Sequence, residues 1–211
     1  MLDLILKDLT FNRGSALAGL AMAVAASALL AVSSPIGTAM AIVLVPTILF
    51  NQTVGKSCYM DDKEGLGLLR SLPISPREIV ASKYVGAAGV LFVSAIVLAA
   101  VLMTIRAIGP GPGLLTADLA LYAASGLLAF FSLYLWLFFQ FNFGAAQQSS
   151  LLLVGILLVA TKLMEMTRGA AILDISHLPA LAPGLMALTL AVLFSTAMAA
   201  VSTHALKTRG R

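Results

Sequence analysis

Long apolar segments separated by short polar connections constrain this sequence more than any single motif does. A helix needs about 20 mainly apolar residues to cross the hydrocarbon core of a bilayer. Six segments approach or reach that length, at about Ser15–Val32, Ile36–Val54, Tyr84–Ile105, Leu119–Phe139, Ser149–Met164 and Gly184–Val201. We therefore predict an all-α, polytopic membrane protein with six transmembrane helices.

The composition agrees with this prediction and excludes several other classes. The 211-residue chain is 60% hydrophobic and carries 13 basic and nine acidic side chains, whereas about a quarter of the residues in a soluble domain are charged. The single cysteine excludes an intramolecular disulfide, and no Cys/His cluster has the spacing of a metal site. The net charge of +4 is small and the basic residues flank apolar segments, so no nucleic-acid partner is predicted.

The basic residues are distributed unequally between the two sides of the predicted membrane domain. Three lie on one side, at Arg106, Lys162 and Arg168. The side that holds both termini carries ten: Lys7, Arg13, Lys56, Lys63, Arg70, Arg77, Lys83, Lys207, Arg209 and Arg211. Because cytoplasmic loops are enriched in Lys and Arg, we predict a multi-pass membrane protein with both termini in the cytoplasm.

Residues 1–14 precede the first span and have an amphipathic pattern. Leu2, Ile5, Leu6 and Leu9 recur at helical spacing, and charged residues occupy the remaining face. Such a helix lies in the membrane interface rather than across the bilayer. The predicted organisation is thus an interfacial helix at 1–14 and a single six-helix transmembrane domain at 15–211.

The connection at 56–83 departs from the apolar pattern, because it holds nine of the 22 charged side chains. Asp61 and Glu64 have the spacing of a capping box, leucines follow, and Pro73 opposes continuation of a helix. This pattern predicts a short amphipathic helix at about Asp62–Ser71 on the cytoplasmic surface. Mixed charge beside a leucine face favours a docking site for a cytosolic partner; the alternative is a solvated connection without a partner.

A second helix start follows directly. Ser75 is a candidate N-cap, Pro76 suits the first helical position, and Glu78 can close the capping box. The helix that begins here is predicted to continue through Lys83 into the third span. The segment therefore forms a surface helix, a corner marked by Pro73, and a helix that enters the membrane.

The run from Asp61 to Tyr84 resembles the cytoplasmic loop of type-2 ATP-binding-cassette exporter permeases of the small bacterial branch. The shared features are the acidic stretch, the Ser-Leu-Pro-Ile-Ser corner at 71–75, and Arg-Glu-Ile-Val before Ser-Lys-Tyr at 77–84. Leu-Ile-Leu-Lys-Asp-Leu at 4–9 resembles the family's interfacial helix. One departure is the uncharged sequence Asn-Phe-Gly-Ala-Ala-Gln-Gln at 142–148, where this branch often has Phe-Gly-x-Glu-Lys. That departure puts a second ATPase contact in doubt.

The resemblance implies a permease subunit of a bacterial inner or plasma membrane. It also implies that the subunit works as a dimer with a second copy of itself and with a separate cytosolic ABC ATPase. The partner would bind ATP and Mg, and this chain would have neither a catalytic residue nor a directly bound cofactor. The implied ATPase-coupling residues are Asp61, Asp62, Lys63, Glu64, Leu68, Leu69 and Arg70. The implied corner of the coupling loop comprises Pro73, Ser75, Pro76 and Glu78.

The fourth span is rich in aromatic and hydroxyl side chains. It offers a candidate substrate path that includes Tyr122, Ser125, Ser132 and Tyr134. A peptide, an antimicrobial compound and a lipid-like molecule are all compatible with such a surface. The alternative function is a non-transporting membrane assembly protein that recruits a cytosolic partner through the same loop at 56–83.

Three further patterns bear on function. Gly55-Lys56-Ser57 resembles the end of a phosphate-binding loop, but Phe50 occupies the position of the required first glycine. The centres of the six predicted spans contain no ionisable residue, which disfavours an ion-coupled carrier. A stripe of small residues at Ser15, Gly19, Ala23 and Ser27 permits close approach of another helix, either in a second copy or in the same subunit.

Overall fold

The computed structural model describes residues 2–33, 35–64, 74–108, 117–149, 151–152, 155 and 181–208. These residues are almost entirely helical, and they include no strand. The named helices are α1 (Leu2–Phe11), α2 (Arg13–Ser33), α3 (Pro35–Phe50), α4 (Lys56–Glu64), α5 (Pro76–Ile108), α6 (Ala117–Gln140) and α7 (Leu181–Thr208). A π-helical turn, Asn51–Gly55, joins α3 to α4. The all-α prediction is confirmed for the described part of the chain.

Four of the described helices are long and apolar enough to cross a membrane. Their candidate spans are Arg13–Leu30, Pro76–Ile105, Ala120–Gln140 and Gly184–Thr208. They coincide with the predicted first, third, fourth and sixth spans. The predicted second span falls on α3, which has only 16 residues before the π turn, and most of the predicted fifth span lies outside the described residues.

Helix α6 forms the centre of the bundle. In its candidate span 44% of the residues are buried, compared with 17%, 17% and 11% in the other three spans. Its most extensive contacts are with α7. Phe131, Tyr134 and Phe138 recur at helical spacing on its buried face and are at most 1% exposed. The ring of Phe131 stacks on Phe50 of α3 with a centroid distance of 4.0 Å.

A second, smaller core lies between α2 and α3. Ala23 packs there with Ala41, Val45 and Leu49. A Cβ added to Gly19 would lie 2.8 Å from Cβ of Gln52, so this glycine allows close approach of α2 to the π turn. The small-residue stripe of α2 therefore packs, at these positions, against helices of the same subunit.

The predicted start of the surface helix at about Asp62, with Asp61 as its N-cap, is wrong. Asp61 lies inside α4, which begins at Lys56 and continues directly from the π turn. Between Phe50 and Met60 the residue least favourable to a helix is Gly55, and one glycine does not end a helix. The Asp61 carboxylate pairs with Lys83 instead of capping a helix. The predicted coupling residues Leu68, Leu69 and Arg70 and the corner residue Pro73 lie outside the described residues.

The predicted start of the next helix is confirmed. Helix α5 begins at Pro76, and the backbone N–H of Glu78 donates to Ser75 Oγ at 3.3 Å. In return, Glu78 Oε2 accepts hydrogen bonds from the backbone N–H of Ser75 at 3.0 Å and from its hydroxyl at 2.9 Å. This reciprocal capping box fixes the point at which α5 starts.

Candidate functional site at the base of the helices

Helix α4 is attached to the long helix α5 by a buried ion pair. Lys83 Nζ of α5 lies 2.6 Å from Asp61 Oδ2 of α4. The two side chains are only 4% and 8% exposed. Lys83 also donates a hydrogen bond to Ser57 Oγ, one turn earlier on α4. Lys83 is thereby joined to two successive turns of α4.

The N-terminal helix contributes a second pair of charges to the same cluster. Asp8 Oδ2 of α1 lies 2.7 Å from Lys83 Nζ. Lys7 Nζ lies 3.6 Å from Asp61 Oδ1 and 3.8 Å from Asp8 Oδ1. We call Lys7, Asp8, Asp61 and Lys83 the ionic cluster; it joins α1, α4 and α5.

The charges of the ionic cluster balance, since two cations face two carboxylates. A buried charge without a partner costs several kcal/mol, so the two buried members, Asp61 and Lys83, depend on their partners. The charge pattern placed Lys83 among the cytoplasmic cations and did not reveal its burial. A signal was present: Ile79, Lys83 and Ala87 recur every four residues, and all three lie on the buried stripe of α5 at 2–4% exposure.

Cys58 lies on α4 between the ionic cluster and the aromatic core. It is fully buried and packs in the core cluster that includes Tyr134 and Phe138. Burial raises the pKa of the Cys58 thiol to about 12; nearby Lys83 lowers the pKa, and Asp61 and Asp8 raise it. The thiol is thus protonated and shielded, which is the character of a structural rather than a reactive cysteine.

The opposite face of α4 is open. Tyr59 and Met60 are 39% and 37% exposed, and Asp62 and Lys63 are exposed as well. Lys63 Nζ donates to Tyr59 Oη at 3.0 Å. The structure therefore divides the predicted coupling residues: Asp62 and Lys63 face outward, whereas Asp61 faces the ionic cluster.

A short segment after α6 packs against the same helix. Residues 143–149 are helical, and Asp62 Oδ2 accepts a hydrogen bond from the backbone N–H of Phe143 at 3.3 Å. The ring of Phe143 contacts Tyr59 edge to face, with centroids 5.2 Å apart. The missing charges of this segment are apparent in the sequence, but its contact with α4 is not.

The residues of the candidate substrate path lie mainly in the interior of the subunit. Tyr134 and Ser132 are 1% exposed and Ser125 is 7% exposed, while Tyr122 is half-buried. The hydroxyls of Ser125 and Ser132 donate to carbonyls of their own helix. Tyr84 Oη of α5 donates to the Ser132 carbonyl at 3.2 Å and lies 3.0 Å from Ser202 Oγ of α7. These contacts tie α5, α6 and α7 together.

An apolar groove lies between α2 and α5, beside the ionic cluster. Its volume is about 440 Å³, and its walls include Leu17, Leu20, Val85 and Val93. Lys83 and Asp8 also line it. In the described part of the chain, no group of three or more His, Cys, Asp or Glu side chains is placed to hold a metal ion.

The fold and this site define a class: a multi-pass helical membrane protein whose N-terminal helix, short charged helix and long helix meet in one ionic cluster. The family model for ABC-2 family transporter proteins matches residues 3–206. The chain belongs to that family, which confirms the resemblance found at Asp61–Tyr84 and indicates a permease subunit of an ABC transporter. No curated protein and no solved structure matches the chain.

Proposed function

We propose that this protein is the permease subunit of an ATP-driven exporter. Two copies form the pathway, and separate cytosolic ABC ATPase subunits bind ATP and Mg and hydrolyse the nucleotide. Helix α4 and the residues that follow it, within the loop at 56–83, couple the ATPase to the spans. The cargo is a peptide, an antimicrobial compound or a lipid-like molecule.

The observation that carries the proposal is the ion pair between Lys83 and Asp61. It joins the charged helix α4 to α5, which contains a candidate span of 30 residues. Separating a buried pair leaves an uncompensated charge and costs several kcal/mol. A displacement of α4 by a bound ATPase would therefore move α5 with it, which is the mechanical requirement for coupling.

The open face of α4 supports the docking part of the proposal. Met60, Asp62 and Lys63 present an apolar group and both charge signs to the outside. Charges of both signs orient a bound partner and make its binding specific. On this assignment Asp62 and Lys63 contact the ATPase, whereas Asp61 acts from the inner face as the attachment to α5.

The location of ATP hydrolysis in a partner is supported by the structure around Gly55-Lys56-Ser57. Gly55 ends the π turn, and Lys56 and Ser57 open α4. Lys56 Nζ donates to Ser15 Oγ of α2. A phosphate-binding loop instead needs free backbone N–H groups between a strand and a helix, so these residues serve packing.

The proposed topology has six spans with both termini in the cytoplasm. Helix α3 and the π turn supply the second span, and residues 149–164 supply the fifth. Helix α1 lies in the cytoplasmic interface with Lys7 and Asp8 turned toward the ionic cluster. The ten basic residues on that side follow the positive-inside rule.

The proposal is tested by affinity purification of the tagged chain from its native membrane, with an ABC ATPase expected in the eluate. Lys63→Glu should weaken binding of that ATPase by about tenfold or more, because it reverses a charge in the docking face. Lys207→Glu is the matched control, because it reverses an exposed cation at the end of α7. A folded wild-type chain that retains no ABC ATPase would refute the proposal.

Reconstitution in liposomes distinguishes transport from assembly. A permease should make ATP hydrolysis by the bound ATPase respond to added cargo candidates from the three classes. A non-transporting assembly protein should bind the ATPase and leave its rate unchanged with every candidate.

A further inference from the structure

The segment at 142–149 contains no charged side chain but lies directly against the charged helix α4. Its contacts are specific. The Phe143 ring meets the Tyr59 ring at 5.2 Å, and the Phe143 backbone N–H donates to Asp62. Asn142 Oδ1 accepts from the backbone N–H of Ala145 at 2.9 Å, which fixes the start of the helical segment.

The segment has a buried and an exposed side. Ala146 is fully buried in the core cluster that also contains Cys58, and Phe143 packs against this cluster. Gln147 and Gln148 are exposed. Helix α4 is therefore held from two directions, by the ionic cluster at Asp61 and by the 142–149 segment at Tyr59 and Asp62.

We propose that the 142–149 segment is a positioning element that holds α4 against the base of the helices. Its side chains do not bind the ATPase; they set the position from which α4 does so. The claim about ATPase binding rests on the proposed function, whereas the claim that the segment holds α4 concerns only the permease subunit. The aromatic pair and the hydrogen bond to a carboxylate each stabilise this position by about 1 kcal/mol.

The single cysteine of the chain reports the position of α4. Cys58 is 0% exposed on this helix, so N-ethylmaleimide should label it slowly in the full chain in detergent. Phe143→Ala and Asp62→Ala should each raise the labelling rate by about tenfold, because each removes one contact that holds α4. The matched control, Gln147→Ala, changes an exposed side chain of the same segment and should leave the rate unchanged.

The effect of the ring contact between Tyr59 and Phe143 is measured by comparing the two single variants with the double variant. Tyr59→Leu and Phe143→Leu keep apolar side chains at both positions, and their effects on labelling should not add, because either one removes the ring pair. Size-exclusion profiles verify that each variant is folded. Wild-type labelling rates in folded Phe143→Ala and Asp62→Ala proteins would overturn the proposal.

ATPase affinity supplies the second measurement, with the ATPase that co-purifies with the wild-type chain as the probe. The double variant Gln147→Ala/Gln148→Ala should bind it with unchanged affinity. If this variant binds the ATPase more weakly while Cys58 stays protected, the segment is a direct contact and the proposal is wrong. If the wild-type chain binds no ABC ATPase, the proposed function fails, and the labelling rates alone decide whether the segment holds α4.

Discussion

Lys83 Nζ and Asp61 Oδ2 lie 2.6 Å apart, although α4 ends at Glu64 and α5 begins only at Pro76. Both side chains are more than nine-tenths buried. Asp8 lies on the other side of the same ammonium group at 2.7 Å. One lysine thus holds together the N-terminal helix, the short charged helix and a candidate membrane span.

Lys83→Met should therefore destabilise the protein strongly. The substitution keeps an unbranched apolar stem but leaves Asp61 and Asp8 without their nearest cation, which costs about 3 kcal/mol. Thermal unfolding in detergent measures the loss. The matched control is Arg77→Met, which removes an exposed cation from the first turn of the same helix and should change stability by less than about 0.5 kcal/mol. Equal effects of the two substitutions would contradict the structural role of the ion pair.

Cys58 should resist alkylation, with a pH profile that differs from that of an exposed thiol. Burial raises the pKa of this thiol to about 12, and the thiolate is the reactive form. The labelling rate should thus keep rising beyond pH 10, whereas the rate of an exposed thiol levels off near about pH 9. The control is Gln147→Cys in a Cys58→Ser background. At pH 8 we expect Cys58 to react at least about a hundredfold more slowly. Similar profiles for the two thiols would contradict the burial of Cys58.

Ser75→Ala should lower stability by about 1 kcal/mol, the usual cost of losing an N-cap. The serine hydroxyl exchanges hydrogen bonds with Glu78 at the start of α5, and alanine cannot replace them. Ser75→Asn is the matched control, because asparagine is an equally good N-cap. Thermal unfolding of both variants in detergent tests this prediction, which fails if the asparagine variant is as unstable as the alanine variant.

Gly19→Ala and Gly14→Ala should affect stability differently although both glycines lie in α2. A Cβ at position 19 would lie 2.8 Å from Gln52 Cβ, whereas one at position 14 meets nothing within 4 Å. The first substitution should cost about 1–3 kcal/mol through overpacking. The second should be neutral or should stabilise the helix by up to about 1 kcal/mol. Thermal unfolding compares them, and a stable Gly19→Ala variant would show that α2 and the π turn are farther apart.

Much of the fold could be predicted from the sequence because hydrophobic length and helix caps are local signals. The first, third, fourth and sixth predicted spans coincide with the four candidate spans. The capping box at Ser75 and Glu78 was also predictable, since its donors and acceptors lie within four residues of each other. The family resemblance depended on a short run that is equally local.

The ionic cluster was not predicted because it depends on tertiary proximity. Asp61 has the spacing of an N-cap with Glu64, and this local interpretation competed with its pairing to Lys83, which becomes apparent only after α4 and α5 pack together. The same holds for Asp62 and Phe143, which are distant in sequence. Local rules placed Asp61 at a helix end, and tertiary packing placed it in the middle of α4.

The π turn at Asn51–Gly55 has a mechanical consequence. The backbone is helical from Pro35 to Glu64 with no loop between α3 and α4, so α4 is the end of a rod rather than a tethered attachment. A push on Met60 therefore acts on α3 through a continuous helical backbone. Two irregular points lie along that backbone, the π turn and Pro46 inside α3. Because π turns often mark functional sites and an interior proline weakens a helix, bending under such a push would concentrate at these two points.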